Sequence, residues 1–449
     1  MIDCKNCGMG YDEKEYEFCP YCGEQTLESQ GPVEKTAPEK EKEPQKGAEP
    51  VEHKKPKQAG GPFKFIIIGI AAVAVIGVAI SAIFALGSGD VNVPDKYPTI
   101  QEAIDAADDG DEIVVDVGVY RENIDFRGKN ITLRSTDPDD TEIVDSTIID
   151  GGNAGAVVSF RSGETEEAVL SGFTITRGGG LLISGGSSPL VTKNIIEDNS
   201  AEVGAGIAIF DSSPTILENT ITGNSGFWGG GLHVEESSPL IEGNTIERNS
   251  AEYGSGIVIY SNAAPTLINN TISENSADQL GGGVAIAGQS TPTLEGNMIL
   301  DNSAERGGGL YIEDSEPVVE NNTISNNQAA NGGGLFLVNC LSTALVIVGN
   351  EIADNLASFA GAGLYMEGSS PTIEDNMFMD NLAERLGGGL AVYNSTPVLL
   401  RNAFENNTAE NEEGGGAIWV STDSELDLED PDDNVYTNNN PDDIFEEQD

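Results

Sequence analysis

An all-β solenoid is the fold class this sequence predicts, and three observations predict it. A Gly-rich start recurs at Gly178, Gly204, Gly229, Gly254, Gly281, Gly307, Gly332, Gly361, Gly387 and Gly414; the nine intervals span 236 residues, about 26 each. Each interval holds three short apolar runs, Gly-Leu-x-Ile, then Ser-Ser-Pro-x-Ile, then Asn-Thr-Ile, and none is long enough for a helix. Asn also recurs in pairs five apart, from Asn194/Asn199 to Asn402/Asn407, with a tenth pair at Asn434/Asn439 after a longer insertion.

These observations fit one coil of a parallel β-helix per repeat. A single coil of three strands and three turns cannot bury its inner face, whereas stacked coils can. Coils lie ~4.8 Å apart, so ten of them span about 48 Å. Stacking sets like residues above one another, so each Asn can hydrogen-bond along the stack, and Asn also suits the left-handed turn between sheets. The glycines recur before strands, ten times over, so they are turn residues and not a phosphate-cradling loop, which occurs once and before a helix.

The array has a distinct beginning. Residues 97–104 read as a short helix capped by Thr99, which would cover the first coil and protect its open sheet edge. Strands are expected at 112–117, 131–134 and 143–149. We take 90–177 as the cap and first coils, 178–426 as the repeat coils, and 427–449 as an acidic C-terminal cap or tail.

Ahead of the array lie three shorter segments. Residues 1–25 carry Cys4-x-x-Cys7-Gly8 and Cys19-Pro20-Tyr21-Cys22-Gly23. Two such hooks suit a tetrahedral Zn2+ held by Cys4, Cys7, Cys19 and Cys22, with metal standing in for a core too small to form. Residues 26–62 are rich in Glu, Lys, Pro and Gln and predict a disordered linker. Residues 63–87 contain the uncharged run Phe65–Leu86, which as a helix would be ~33 Å long and would span a bilayer. Lys54, Lys55, Lys57 and Lys64 precede the span, which places the cysteines in the cytoplasm and the repeats outside the cell, single-pass.

Composition and charge narrow the functions. The chain has 449 residues, 38% of them hydrophobic, which is enough for a core; its 55 glycines lack a G-X-Y period, which excludes collagen. Net charge is −53, and residues 90–449 hold 62 acids against 12 bases, so nucleic acid is excluded as a partner. Five cysteines, four of them in the hooks, make no disulfide framework.

The outward positions of the Gly-Leu-x-Ile strand carry the functional expectation. They include Phe210, His233, Glu235, Tyr260, Tyr311, Glu313, Phe336, Tyr365, Glu367 and Tyr393. Aromatic rings beside carboxylates suit sugars, whose apolar faces stack on rings while their hydroxyls bond to acids. The competing expectation is that like rings stack coil on coil. Glu313 and Glu367 fall two coils apart, ~9.6 Å, at the outer limit for a pair of carboxylates hydrolysing a glycoside with inversion. A second acidic series, Glu202, Glu252, Asp278, Glu305, Glu384 and Glu410, follows each Asn-Ser-Ala and either takes Ca2+ or is solvated. Cys340 stands in the Ser-Ser region of its coil and is expected to be a small buried residue.

Residues 99–107, 110–115, 118–124 and 131–133 resemble the opening of right-handed β-helix proteins of the pectin-lyase-like superfamily. The Gly-Gly-Gly-Leu and Ile-x-x-Asn repeats are similar to those of polymorphic outer-membrane proteins and related surface proteins, and the Cys hooks resemble the zinc ribbons of prokaryotic membrane proteins. The resemblance implies polysaccharide contact or surface adhesion, but the acid and base motifs of the family's lyases and esterases do not map onto this chain. The leading expectation is therefore a membrane-anchored surface protein that binds glycans or surfaces without catalysis. A polysaccharide lyase or glycoside hydrolase using the same face is the second expectation, and a purely structural envelope component is the third. The ribbon is expected to be structural, with at most an adaptor role toward a cytoplasmic protein.

Overall fold

The computed structural model describes residues 2–3, 10–11, 91–342, 344–428 and 433–447. The chain divides into two units, Met1–Ala74 and Val75–Asp449. In the first, Ile2–Asp3 pairs antiparallel with Gly10–Tyr11. The four hook cysteines, the linker and the apolar run 65–86 lie outside the described residues. Among the described residues no helix is long and apolar enough to cross a membrane.

The second unit is a solenoid of three parallel sheets, each with thirteen strands among the described residues. We number the sheets by the three runs of the repeat. The first sheet runs from Ile124–Asp125 to Ile444–Glu446, the second from Val91–Val93 to Val398–Leu400, and the third from Gly118–Tyr120 to Val435–Thr437. Neighbouring strands keep register over the full stack, as in Thr220↔Thr245 and Thr245↔Thr271. Thirteen strands at ~4.8 Å make a stack about 58 Å long.

The core is a set of vertical apolar columns. In the third sheet Ile221, Ile246, Ile272, Ile299, Ile324 and Ile352 follow one another, each fully buried. The column then changes to Phe378 and Phe404, whose rings stack 4.8 Å apart and nearly parallel. Each such side chain contributes about 1.5–3 kcal/mol by leaving water.

The Asn pairs form two buried ladders from Asn194 to Asn434 and from Asn199 to Asn439. Asn275 shows the arrangement: its Nδ2 donates to Asn302 Oδ1 in the next coil at 3.0 Å and to Ile246 O in the previous one at 2.9 Å. The left-handed position is taken by the residue just before the ladder Asn and not by the Asn itself, as at Glu218 (φ 54°), Arg248 (φ 53°) and Asp301 (φ 56°). Such a conformation costs a non-Gly residue about 1–2 kcal/mol, and the satisfied ladder offsets it.

The helix α1 (Ile100–Ala106) begins at Thr99, whose Oγ1 accepts from Glu102 N at 3.1 Å. Its buried residues Ile100, Ala103 and Ile104 cover the first coil, and Lys129 Nζ donates to the carbonyls of Ile104, Asp105 and Ala107 at its end. A second short helix, α2 (Thr141–Ser146), interrupts the expected strand at 143–149, which is reduced to Thr147–Asp150.

From residue 200 onward the coils have a fourth, narrow side. The segment after the second ladder Asn, expected as a turn, pairs coil to coil as a narrow ribbon. It forms strands at Ser250–Tyr253 and Ser276–Leu280, and again from Gln328–Asn331 to Thr408–Ala409. Single bridges such as Ser200↔Ser225 and Ser303↔Gln328 extend it.

Candidate binding face of the first sheet

The outer face of the first sheet carries two columns. The second residue of each strand gives Ala208, His233 and Val258, and later Tyr311, Phe336 and Tyr365. The fourth gives Phe210, Glu235 and Tyr260, and later Glu313, Val338, Glu367 and Tyr393.

The expectation that all these side chains face solvent is corrected in the second-residue column. His233 and Tyr311 are 4% exposed and Phe336 is 2% exposed. The cause is the Gly-rich turn leading into the strand. Its first Gly has positive φ and lies against the second residue of the strand: a Cβ on Gly229 would sit 3.3 Å from His233 Cβ, and one on Gly332 would sit 2.9 Å from Phe336 Cβ. Tyr311, Phe336 and Tyr365 stack coil on coil, with ring centroids 5.6 and 5.0 Å apart, and Arg306 lies over the Phe336 ring at 5.8 Å. Burial and the neighbouring Glu367 push the Tyr365 hydroxyl up to about 12. Tyr311 is raised further, by burial and by Glu313, to whose Oε2 its hydroxyl donates at 3.2 Å.

The fourth-residue column is open. Tyr260 and Tyr393 are exposed, while Phe210, Glu235, Glu313 and Glu367 are half-buried. Phe210, Glu235 and Tyr260 occupy three successive coils, so a carboxylate lies between two rings. Glu313 and Glu367 occupy the same column two coils apart, with Val338 between them. His233 Nε2 lies 3.2 Å from Glu235 Oε2, and the imidazole is 5.5 Å from the Phe210 ring. Phe210, alone of this group, also lines a cleft of about 510 Å³. Leu182, Ala208 and Phe210 line it from the first sheet, Ser200, Ala201 and Val203 from the ribbon, and Gly178 and Gly179 from the turn between.

The second acidic series lies along the ribbon. Among the described residues no three His, Cys, Asp or Glu side chains gather in a metal-holding group. Sequence reading missed the aromatic cluster on the same ribbon. Phe227-Trp228 replaces the usual acidic residue after Ser-Ala, and this substitution is the signal that would have found it. Sequence reading also missed the third ladder, in which a Ser two residues before Pro accepts from the corresponding residue one coil earlier, as Ser237 Oγ does from Ser212 N at 3.1 Å. Cys340 stands in that ladder, 2% exposed, its Sγ donating to Val338 O at 3.3 Å.

Three parallel sheets wound around one apolar core, with a polar ladder at each corner of the repeat, define the molecule as a parallel β-helix solenoid. The family model for the right handed beta helix region matches residues 131–299 and 277–440, and the chain belongs to that family. Among solved structures the chain is similar to the catalytic unit of a thermostable GH87 α-1,3-glucanase from Streptomyces thermodiastaticus strain HF3-3, at 14% identity over 81% of this chain and 71% of that one, with a TM-score of 0.32. No curated protein matches.

Proposed function

We propose that this protein is a membrane-anchored surface solenoid that binds a glycan chain along the open column of its first sheet, without catalysis. The observation that carries this reading is the succession Phe210, Glu235, Tyr260, whose first ring also lines the 510 Å³ cleft. Rings one and three coils along the stack offer apolar platforms, and the carboxylate between them accepts hydrogen bonds from hydroxyls. The high negative charge favours neutral chains over polyuronates. On this reading Cys4, Cys7, Cys19 and Cys22 hold a structural Zn2+ in the cytoplasm, the run 65–86 spans the membrane, and the solenoid stands outside. Binding of the full-length protein to a glycan array tests the reading: retention of neutral polysaccharides is the expected result, and no retention of any glycan would overturn it.

A second reading, hydrolysis or lyase cleavage of a polysaccharide, draws on Glu313 and Glu367 in one column with Arg306 over Phe336 between their coils. Release of reducing ends or unsaturated products by the wild type, and its loss in Glu313→Gln or Glu367→Gln, would favour it.

A further inference from the structure

The cleft at the start of the open column is uncharged. None of the eleven described residues that line it is an acid or a base, although residues 90–449 hold 62 acids. Leu182, Val203, Ala208 and Phe210 give it apolar walls, and Asn153 and Ser200, both exposed, are its polar side chains. Its volume of about 510 Å³ lies within the usual range of small-ligand sites, about 300–1,000 Å³.

The hollow follows from the residues of two successive coils. One coil further on, the corresponding positions carry rings: Ala208 pairs with His233, and Val203 bridges to Trp228. The smaller Ala208 and Val203 leave open the space that rings take in the next coil. The loop 151–156, between the strands Thr147–Asp150 and Val158–Phe160, supplies Asn153. Phe210 belongs both to the cleft and to the open column, and its ring lies 5.5 Å from the His233 imidazole. A sugar stacked on that ring therefore has the cleft within reach of its substituents.

We propose that the cleft takes the acetamido group of a 2-acetamido sugar stacked on Phe210, so that the glycan of the open column is an N-acetylated neutral chain. This rests on the glycan reading above and names its ligand class. An acetamido group has a methyl, an N–H donor, a carbonyl acceptor and no charge. Leu182 and Ala208 remove the methyl from water, while Asn153 and Ser200 offer the amide a donor and acceptors. A bare hydroxyl in its place would lie against apolar walls and lose its hydrogen bonds to water. A carboxylate or an ammonium group would be desolvated with no counter-charge in the lining.

Titration calorimetry of the full-length protein with the β-1,4-linked hexamers of N-acetylglucosamine and of glucose tests this, because the two differ only in the substituent at C2. The acetylated hexamer should bind about tenfold more tightly. Val203→Trp places in this coil the residue that its bridge partner already carries in the next, and should close the cleft. It should bring the two hexamers within about twofold of each other and leave the glucose hexamer unchanged. Leu182→Ala, which removes a wall without adding bulk, should cost the acetylated hexamer about threefold and the glucose hexamer less than twofold. Equal affinity of the wild type for both hexamers would overturn the acetamido site and leave the glycan reading in place. So would an unreduced preference in both variants at unchanged melting temperature. Binding of neither hexamer would overturn the site as well, and the glycan array then decides the wider reading by itself.

Discussion

Asn302 Oδ1 accepts two hydrogen bonds from Asn275 in the preceding coil, one from its backbone N–H and one from its Nδ2, both at 3.0 Å. One side-chain oxygen thus satisfies two buried donors, and each link of both ladders repeats this.

Removing such a link should be expensive. Asn302→Ala takes the acceptor from Asn275 N–H, leaves Asn275 Nδ2 with only one of its two acceptors, Ile246 O, and removes the side-chain donor from Ile272 O. With unsatisfied buried groups costing about 1–3 kcal/mol each, partial relaxation should still leave a loss of about 3 kcal/mol or more. Asn439→Ala, at the half-exposed end of the same ladder, should cost about 1 kcal/mol. Denaturant unfolding of the two variants checks the contrast, and equal costs would count against the ladder as the source.

The third residue of the turns from Gly204–Gly206 to Gly387–Gly389 is held as Gly by space and not by backbone angle. A Cβ on Gly334 would lie 2.5 Å from Gly363 O in the next coil. Gly334→Ala should therefore destabilise by about 3 kcal/mol, as overpacking does. Gly152 has φ +61°, but a methyl group there would meet nothing within 4 Å, so Gly152→Ala should cost only the left-handed strain, about 1–2 kcal/mol. Melting temperatures of both variants give the comparison.

Burial of Tyr365 ties stability to alkaline pH. Its hydroxyl rises from 10.0 to about 12 on folding. Between those values the unfolded chain has released the proton and the folded one has kept it, so stability should fall as pH rises above 10. Tyr365→Phe should flatten that fall. Unfolding at stepped pH, with a near-ultraviolet tyrosinate titration, measures it, and an unchanged slope would show that the ring is not protected in solution.

If the open column of the first sheet holds glycan, Phe210→Ala and Tyr260→Ala should each weaken binding about five- to tenfold with little change in melting. Tyr393→Ala, exposed in the same column but five coils beyond Tyr260, serves as the comparison. Equal effects at all three sites would place the ligand elsewhere or along the whole column.

Much of this architecture was legible in the chain. The repeat period and the Asn pairs identified the stacked coils because a solenoid forces vertical identity, and Thr99 marked the start of α1 because its hydroxyl must satisfy a helix donor. The ribbon was not legible: Ser-Ala-Glu reads as a turn, and only the neighbouring coil supplies its partner. Nor was the burial of His233, Tyr311 and Phe336, since strand alternation places them outward and only the path of the preceding Gly covers them. The open column Phe210–Glu235–Tyr260 lay within the residues read from sequence, but its separation from the buried column depends on that same path.

The ladders tolerate uneven coils. Successive partners are as few as 25 residues apart at Asn194–Asn219 and as many as 32 at Asn402–Asn434, yet the Nδ2–Oδ1 distances there are 3.1 and 3.2 Å. Part of the extra length is taken up sideways, in the exposed segment 410–413, while the axial rise stays fixed. Insertions at such corners leave the scaffold's pitch untouched, so duplication of whole coils can extend the rod and new loops can be grafted onto it in evolution or by engineering.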